Sequence, residues 1–290
     1  MLLSYKSCAQ ERTVTTAGLN GRIKSLTEYN FNFAGTNAVE DGGGAWKVTS
    51  VFDENGVKKE ELRYGLDNLL ASRAEFRYSP SGRLERETNY DATGKYLYSN
   101  TWNYDKEGRE IYRRHRSRDR TVFLRTDLSY NDKGYLTRER TQARGGRTLS
   151  MARWKYDTTG NPIEEIISDA DNIVTRRSRY RYNSSRKLIE EKNTFYGITV
   201  STVYKYDSMG NMIAQTDYNA AHKPEKRIEY SYNSRGEETE QRTFNAYDVL
   251  QRTVTYRREY DRMGNLLKTV QADNEGETVI QQREIVYFPQ

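Results

Sequence analysis

The sequence reads YDKEG at residues 104–108, YNDKG at 130–134 and YDTTG at 156–160. An aromatic residue (the anchor), an Asp or Asn, two variable residues and a Gly thus return every 26 residues. Further copies of this motif, one with Ser after the anchor, start at Phe52, Tyr78, Tyr182, Tyr206, Tyr232 and Tyr260. Neighbouring anchors are 26 residues apart, apart from one interval of 24 and one of 28. The chain is therefore a tandem repeat of about nine units.

The anchor motif has the chemistry of a hairpin turn. An Asp or Asn side chain accepts a hydrogen bond from the backbone two residues further on. The Gly then adopts the left-handed conformation that completes a short hairpin loop. Arg186 stands at one such Gly position, so we expect it to adopt this conformation at a cost, unless its hairpin uses another loop. A second turn falls midway through each unit, for example at 90–94 and 273–276, and its variable length predicts a looser loop.

The residues between the turns alternate in character. A bulky residue lies two positions before most anchors, as at Phe76, Trp102 and Trp154, and polar residues such as Arg77 and Lys155 lie between. Alternation of period two predicts strands with one aromatic face and one charged face. We therefore predict an all-β fold in which 26-residue hairpins form a long antiparallel meander. Because the aromatic face needs cover and sheets twist, we expect a single curled or spiral sheet.

Residues 1–45 precede the repeat array, which spans residues 46–290. Gly42–Gly44 indicates a flexible joint, and an additional capping strand before the array is plausible. The first ten residues, MLLSYKSCAQ, resemble the tail of a bacterial export signal, in which Cys8 would carry a lipid. The alternative is an unstructured terminus with an incidental cysteine.

The form Tyr-Asp-x-x-Gly-Asn, at 156–161, 206–211 and 260–265, resembles the YD repeats of Rhs-type bacterial proteins. The resemblance covers about residues 46–290. It implies a secreted or surface β-repeat protein; several members form hollow shells around a toxin, and others are linked to carbohydrate or cell-surface contacts. The period here is longer than the usual YD unit, and no toxin-like segment follows the array, so the resemblance favours export rather than encapsulation.

Composition excludes several classes of function. The net charge is only +6 and there are 24 Tyr, which argues against disorder. The single cysteine excludes an internal disulfide and a thiolate metal cluster. His115 and His222 have no nucleophile motif nearby, and the pairs Glu164–Glu165 and Glu190–Glu191 should point to opposite faces of their strands. We predict no catalytic site, no cofactor, no metal and no transmembrane helix.

Cationic residues are the candidates for binding. The basic run at 113–118 is predicted to be a loop, and equivalent strand positions should stack into a cationic column that could bind phosphate or an anionic polysaccharide. Tyr196, near a turn, is a candidate for exposed contact with a sugar. The candidate residues are Arg113, Arg114, Arg116, Arg118, Lys155, Arg181, Lys205 and Tyr196. The alternatives are a solvated face with cross-strand ion pairs, and aromatics that form the core.

These features favour an exported, non-enzymatic scaffold or binding protein, secreted, periplasmic or on the bacterial cell surface. Its partner would be a polysaccharide or a cell-surface protein. A rival hypothesis is a structural module that self-associates through the two open edges of its sheet. A nucleic-acid-binding protein is the third hypothesis, disfavoured because acidic residues are interspersed throughout.

Overall fold

The computed structural model describes residues 18–29, 47–119, 123–274 and 276–289, which are almost entirely β-structure. A short 3-10 segment spans Arg144–Gly146. The strands are β1 (Ile23–Tyr29), β2 (Lys47–Phe52), β3 (Lys58–Tyr64), β4 (Leu70–Tyr78), β5 (Leu84–Asp91), β6 (Tyr96–Tyr104), β7 (Glu110–Ser117), β8 (Phe123–Tyr130), β9 (Leu136–Ala143), β10 (Thr148–Tyr156), β11 (Pro162–Ser168), β12 (Val174–Tyr182), β13 (Leu188–Phe195), β14 (Ile198–Tyr206), β15 (Met212–Tyr218), β16 (Pro224–Tyr232), β17 (Glu238–Asn245), β18 (Leu250–Tyr260), β19 (Leu266–Asp273) and β20 (Gly276–Tyr287).

The sheet closes on itself. From β2 to β20 each strand pairs antiparallel with the next, which confirms the predicted meander of hairpins. β1 then pairs with both ends, since Leu26 lies opposite Ser50 of β2 and opposite Ile285 of β20. The result is a closed 20-stranded antiparallel barrel, so the predicted curled or spiral open sheet is wrong. Closure pairs every described strand on both sides, which removes the open edges that the self-association hypothesis assumed.

The closing strand β1 comes from the segment that precedes the repeats. The residues just before β1 are held by hydrogen bonds between Asn20 and Asn265. The Asn20 backbone N–H donates to Asn265 Oδ1 (2.6 Å), and Asn265 Nδ2 donates to the Asn20 carbonyl (2.9 Å). The Phe288 N–H donates to the Arg22 carbonyl (2.8 Å). Residues 1–45 therefore contribute a strand to the same sheet as the array. Cys8 and Gly42–Gly44 lie outside the described residues.

The anchor turns have the predicted geometry. In the turn after β10, Asp157 Oδ1 accepts hydrogen bonds from the N–H groups of Thr159 and Asn161, both at 2.9 Å. Gly160 is left-handed with φ of 89°, and its N–H donates to the Asp157 carbonyl. The hydrogen bond from the Asn161 side chain, with those from the backbone, holds the pKa of Asp157 well below its ordinary value. Arg186 is left-handed at φ 60°, as expected from its place in the repeat.

The second turns are more regular than the sequence suggests. Most of them repeat the hydrogen bonds of the anchor turns, as between Asn219 and His222. What differs is the left-handed residue, which is often not Gly: Asn68, Asn172, His222 and Asp248 have φ between 58° and 62°. Asn, Asp and His tolerate this region better than other side chains. The prediction of loose second turns is therefore wrong for these hairpins. They keep the hydrogen bonds and the left-handed residue of the anchor turns, although that residue is not Gly.

The two faces of the sheet become two walls of the barrel. Phe76, opposite Glu87, is 7% exposed, whereas the side chain of its neighbour Arg77 is 79% exposed. On the aromatic face, side chains meet across two strands, as in the hydrogen bond from Arg63 Nη1 of β3 to Asn89 Oδ1 of β5 (3.3 Å). A concave surface favours such contacts, because it brings the side chains of second-neighbour strands together. The aromatic face is therefore the inner wall, and the charged face is the outer wall.

Apolar packing concentrates at two places on the inner wall. Leu19, Ile23, Leu26 and Phe52 form one buried cluster at the seam closed by β1. A second cluster is formed by Ala74, Phe76, Leu84 and Trp102. Each fully buried Leu, Ile or Phe stabilises the fold by about 1.5–3 kcal/mol relative to exposure. The seam is therefore held by apolar burial as well as by backbone hydrogen bonds.

The anchor tyrosines bond successive strands at the rim that carries the anchor turns. Their hydroxyls donate to the carbonyl of the first residue of the strand before their own. The pairs are Tyr104 to Leu84 (2.7 Å), Tyr130 to Glu110 (2.6 Å), Tyr156 to Leu136 (2.7 Å), Tyr182 to Pro162 (2.8 Å), Tyr206 to Leu188 (2.8 Å) and Tyr232 to Met212 (2.7 Å). This contact explains why these anchors are Tyr, because Phe has no hydroxyl to donate.

Candidate functional site

The basic run at 113–118 is divided between the two walls. It forms most of β7 rather than the predicted loop. Arg113 lies on the inner wall, where it pairs with Glu110 (3.1 Å) and Glu139 (2.6 Å). Arg114 and Arg116 lie on the outer wall, and Arg118 is exposed in the turn that follows. Only the outer-wall and turn residues of this run are therefore placed to meet a partner outside the barrel.

Lys155 and Arg181 lie on the outer wall but do not share one line across the strands. Lys155 is directly opposite Glu164, which is opposite Arg179 rather than Arg181. In a closed barrel, neighbouring strands are offset along their length. Here the residue that lies across from Lys155 and Glu164 is Arg179, two residues before Arg181, so equivalent repeat positions form an oblique series. The predicted column is therefore tilted across the sheet.

Carboxylates neutralise this part of the outer wall. Glu164 accepts from Lys155 Nζ (2.7 Å) and lies 3.5 Å from Arg179 Nε. The hydrogen bond from Lys155 is the main reason that the pKa of Glu164 lies below its ordinary value. Arg181 pairs with Glu190 at 3.1 Å. The arrangement around Lys155 and Arg181 is that of a solvated face with cross-strand ion pairs. Lys205, on β14, is exposed on the same wall opposite Ala214.

Tyr196 lies at the opposite rim, where the second turns are found. It forms the tight turn between β13 and β14 with Gly197, and both residues have positive φ. It is 78% exposed, and Tyr247, in the turn between β17 and β18 at the same rim, is also exposed. These two rings are available for contact, unlike the anchor-associated aromatics of the inner wall, which form the core.

A polar network covers the inner wall of β3 to β7. Burial raises the pKa of the Glu61 carboxyl, but Lys58 and Arg63 (2.5 Å) outweigh burial and hold it below its ordinary value. Arg63 also donates to Asn89, whose Nδ2 donates to Glu87 (2.7 Å). The network therefore joins the charged groups of β3 to those of β5 through an amide.

His115 ends this network on β7. Asn100 Nδ2 donates to Glu87 (3.4 Å), so its Oδ1 is the acceptor for His115 Nδ1 (2.8 Å). Burial lowers the pKa of His115. The imidazole is therefore held neutral as a hydrogen-bond donor. His222 occupies the left-handed position of a turn, so both histidines have structural positions.

Five glutamates share one position of the repeat on the inner wall, nine residues after an anchor. They are Glu61, Glu87, Glu139, Glu165 and Glu191. Glu165 faces Trp154 and Ser178 on the inner wall, and its neighbour Glu164 lies outside, as expected for adjacent strand residues. Equivalent repeat positions stack across the sheet, which is the argument that predicts a column of cations. The same argument predicts this series of carboxylates from the sequence.

The ion pair of Glu165 and Arg176 is incompletely bonded. Arg176 Nη2 donates to Glu165 Oε2 at 2.6 Å, and Glu165 is only 2% exposed. Within the described part of the chain, Glu165 Oε1 and Arg176 Nε have no hydrogen-bond partner. Elsewhere on the inner wall, Glu191 accepts from Asn193 Nδ2 (2.8 Å) and from the Tyr204 hydroxyl (3.4 Å). These groups stabilise the wall mainly through one another.

Two further observations bear on the chemistry of the described residues. They contain no cluster of three His, Cys, Asp or Glu side chains arranged to hold a metal ion. None of the helical segments in those same ranges has the length and apolarity needed to cross a membrane.

No protein-family model and no curated protein sequence matches the chain. Among solved structures, it is similar to TcdB2-TccC3, with 14% identity over 90% of this chain and a TM-score of 0.38. It spans 19% of that longer chain. It is also similar to a porin-like protein from Bacteroides uniformis ATCC 8492, with 13% identity, a TM-score of 0.37, and coverage of 91% of this chain and 96% of the other. Neither similarity assigns a function.

Proposed function

We propose that the protein is an exported, non-enzymatic β-repeat scaffold that binds a glycan or a cell-surface protein on the outer wall of its barrel. The observation that carries this proposal is the display of charged side chains on a closed sheet. The side chains of Arg77, Lys155 and Arg181 are 79%, 70% and 66% exposed. Closure fixes the strands that carry them, which lowers the entropy cost of binding.

The inner wall supports a framework role rather than catalysis. Its charged groups mostly pair with one another, as do Arg113 with Glu139 and Glu61 with Arg63. His115 is committed to Asn100 and is held neutral by burial. A buried polar network of this kind specifies how strands pair, and it leaves few groups free to act on a substrate.

The charged outer wall also favours a barrel surrounded by water. Barrels that span membranes present an apolar band to the lipid. On β12, Arg177, Arg179 and Arg181 occupy the outer wall from the middle of the strand to its end, where such a band would have to be. The resemblance to Rhs-type YD repeats supports membership of that group and export. We place the protein in the secreted, periplasmic or surface fraction, with a lipid on Cys8 as one route of anchoring.

Cell fractionation with metabolic palmitate labelling tests the location. Label on the wild-type protein that is absent from Cys8→Ser supports the lipid anchor. Unlabelled protein outside the cytoplasm supports export without a lipid. Recovery of both forms in the cytoplasm contradicts the location.

A glycan array, with a parallel screen against surface proteins and probed at low and high salt, tests the binding function. Binding to one class of glycan or to one surface protein is the expected result. The rival structural module predicts no binding to either, together with oligomers whose size grows with protein concentration in light scattering. Nucleic acid as the only ligand would favour the third hypothesis.

A further inference from the structure

Four arginines of the outer wall lie on one line across β4 to β8. Arg77 is directly opposite Arg86, and Arg86 is opposite Thr101. Thr101 is opposite Arg114, which is opposite Arg125. We call Arg77, Arg86, Arg114 and Arg125 the arginine row. Its members come from four different strands and from different positions of the repeat, so only the cross-strand register reveals it.

The arginine row contains two direct pairs of like charge. Directly opposed side chains have Cβ atoms about 4.5–5.5 Å apart, and like charges in that position are destabilising. Arg77 and Arg86 form one such pair, and Arg114 and Arg125 form the other. The row therefore costs the fold some stability.

An acidic pair on the same wall shows the usual compensation. Glu60 and Glu75 are also directly opposed, but Arg73 lies between them and binds both, at 3.4 Å and 2.8 Å. The two arginine pairs have no comparable carboxylate between them among the described residues. In the described strands, Arg73 thus neutralises this acidic pair, whereas the two basic pairs of the arginine row have no such partner.

In the part of the chain that the structure describes, carboxylates reach only the two ends of the arginine row. Arg125 pairs with Asp127 at 2.6 Å, and Arg77 lies 3.9 Å from Glu85 in a solvent-exposed contact. For the described residues, no carboxylate lies within ion-pairing distance of Arg86 or Arg114. Arg114 Nε is also buried without a hydrogen-bond partner there. The centre of the row therefore carries unneutralised charge.

We propose that the arginine row binds a linear polyanion of carboxylated or sulfated sugars, which lies across strands β4 to β8. This proposal rests on the proposed binding function and adds its ligand class and location. Strands are about 4.8 Å apart, so Arg77 and Arg125 are separated by about 19 Å across the sheet. An extended oligosaccharide presents charges repeatedly over such a distance. The planar guanidinium groups bind carboxylate or sulfate through two parallel hydrogen bonds.

The aromatic residue within this surface favours an acidic polysaccharide over single-stranded nucleic acid. Nucleic-acid sites of this kind stack bases on free aromatic rings. The Tyr112 ring is instead in contact with the guanidinium groups of Arg114 (4.6 Å) and Arg125 (4.5 Å). The ring orients the two arginines, and both guanidinium groups lie against it, so it is not free to stack on a base. The surface therefore offers charge without a stacking platform.

The test uses the full chain and four probes: polygalacturonate, dextran sulfate, neutral dextran and poly(dT). Calorimetry compares the wild type with the double variant Arg86→Gln/Arg114→Gln. The matched control, Arg177→Gln/Arg179→Gln, removes the same charge from the same wall, where Glu164 already pairs with both arginines. We expect the row variant to bind an acidic polysaccharide about tenfold or more weakly, because each of the two replaced arginines loses a charge-assisted hydrogen bond to the ligand. The affinity of the control should change less than about twofold. Neutral dextran should not bind.

Four outcomes overturn the proposal. Equal losses in both double variants would show attraction by net charge alone. Binding of poly(dT) that matches the acidic polysaccharides and depends on Arg86 and Arg114 would assign the row to nucleic acid. Failure of every polyanion to bind, while the wild type still captures a neutral glycan or a surface protein, would refute the arginine row but leave the proposed function standing. Loss of all glycan and protein binding would refute both.

A second variant keeps the test independent of folding. Arg86→Lys/Arg114→Lys retains both charges but loses the planar, two-pronged geometry. We expect it to weaken polysaccharide binding less than the Gln variant does and more than the control does. Binding at the wild-type level would contradict recognition by paired hydrogen bonds.

Discussion

The hydroxyl of Tyr130 donates a hydrogen bond to the backbone carbonyl of Glu110 at 2.6 Å. Burial, reinforced by the nearby Glu110 carboxylate, raises the pKa of Tyr130 to about 12, so the hydroxyl stays protonated and donating. The same bond recurs in five other units. It joins the last residue of one strand to the first residue of the strand before it. Each of these anchor tyrosines therefore precedes one turn and also stabilises the hairpin formed by these two strands.

Tyr130→Phe removes this donor and leaves the Glu110 carbonyl without it. We expect the free energy of unfolding to fall by about 1 kcal/mol, the usual net value of such a bond. Urea denaturation followed by circular dichroism measures the change. Tyr196→Phe is the control, because its exposed ring lies in a turn, and it should be neutral. Equal stability of the two variants would mean that the anchor hydroxyl contributes nothing.

The glycines of two anchor turns form a matched pair. Gly160 and Gly82 both have positive φ, but a Cβ at Gly160 would clash with the Tyr135 hydroxyl, whereas a Cβ at Gly82 would have nothing within 4 Å. Tyr135 is stacked on Tyr156 at 5.0 Å and cannot move freely. Gly82→Ala should cost about 1–2 kcal/mol from the backbone alone. Gly160→Ala should cost about 1–3 kcal/mol more from overpacking.

Thermal denaturation of Gly160→Ala and Gly82→Ala, with Tyr135→Ala in combination, tests this explanation. Removing the Tyr135 ring should erase the difference between the two glycines. A difference that persists in the Tyr135→Ala background would place its cause elsewhere.

Closure by β1 should govern association. Deleting residues 1–29 leaves β2 and β20 with unpaired edges, and open edges are templates for pairing with another chain. We expect light scattering to show more self-association for the deletion than for the full chain at the same concentration. A synthetic peptide of residues 18–29 should reverse the effect. An unchanged mass without the strand would mean that the array closes or protects its edges by itself.

Point variants at the seam refine this prediction. Leu26→Ala empties a fully buried site and should cost about 2–5 kcal/mol. Val286→Ala, on β20 but with an exposed side chain, is the control and should be close to neutral. Equal effects would show that apolar burial does not hold β1 in place.

Much of this fold is visible in the sequence because the repeat is local. The Asp157 turn, the left-handed Arg186 and the alternation of Phe76 with Arg77 each depend on residues within a few positions of one another. Closure is different. β1 has no anchor motif, and its pairing of Leu26 with Ile285 joins opposite ends of the chain. No local pattern encodes such a contact.

The candidate site was only partly predictable for a related reason. For Lys155 and Arg181 the sequence leaves two alternatives, a cationic column or cross-strand ion pairs, and the structure places Glu164 and Glu190 in the positions opposite them. Arg114 was identified from its basic run, whereas its neighbour across the strands, Arg125, was not. The stagger of the barrel sets which residues are opposed, and it follows from closure rather than from the repeat length.

His115 should make stability depend on pH. Its pKa is lowered from the ordinary 6.5 by burial, so below that pH the unfolded chain binds a proton that the folded barrel does not. The free energy of unfolding should therefore fall as the pH decreases from 6.5 through the folded pKa, and it should be unaffected by this group at higher pH. His115→Gln should show a smaller loss of stability between pH 7 and pH 5. An unchanged pH dependence would mean that the imidazole titrates alike in both states.

Arg86→Gln should stabilise the barrel, although most substitutions destabilise proteins. Arg86 is opposed by Arg77 and, in the described structure, has no carboxylate partner, so its removal relieves repulsion. We expect the melting temperature to rise at low salt, by an amount that corresponds to about 0.2–1 kcal/mol, and the gain to shrink as salt screens the repulsion. Arg181→Gln, which breaks the pair with Glu190, should be neutral or slightly destabilising under the same conditions. A loss of stability in Arg86→Gln would show that the row is satisfied within the chain, and the case for an anionic partner would lose its energetic basis.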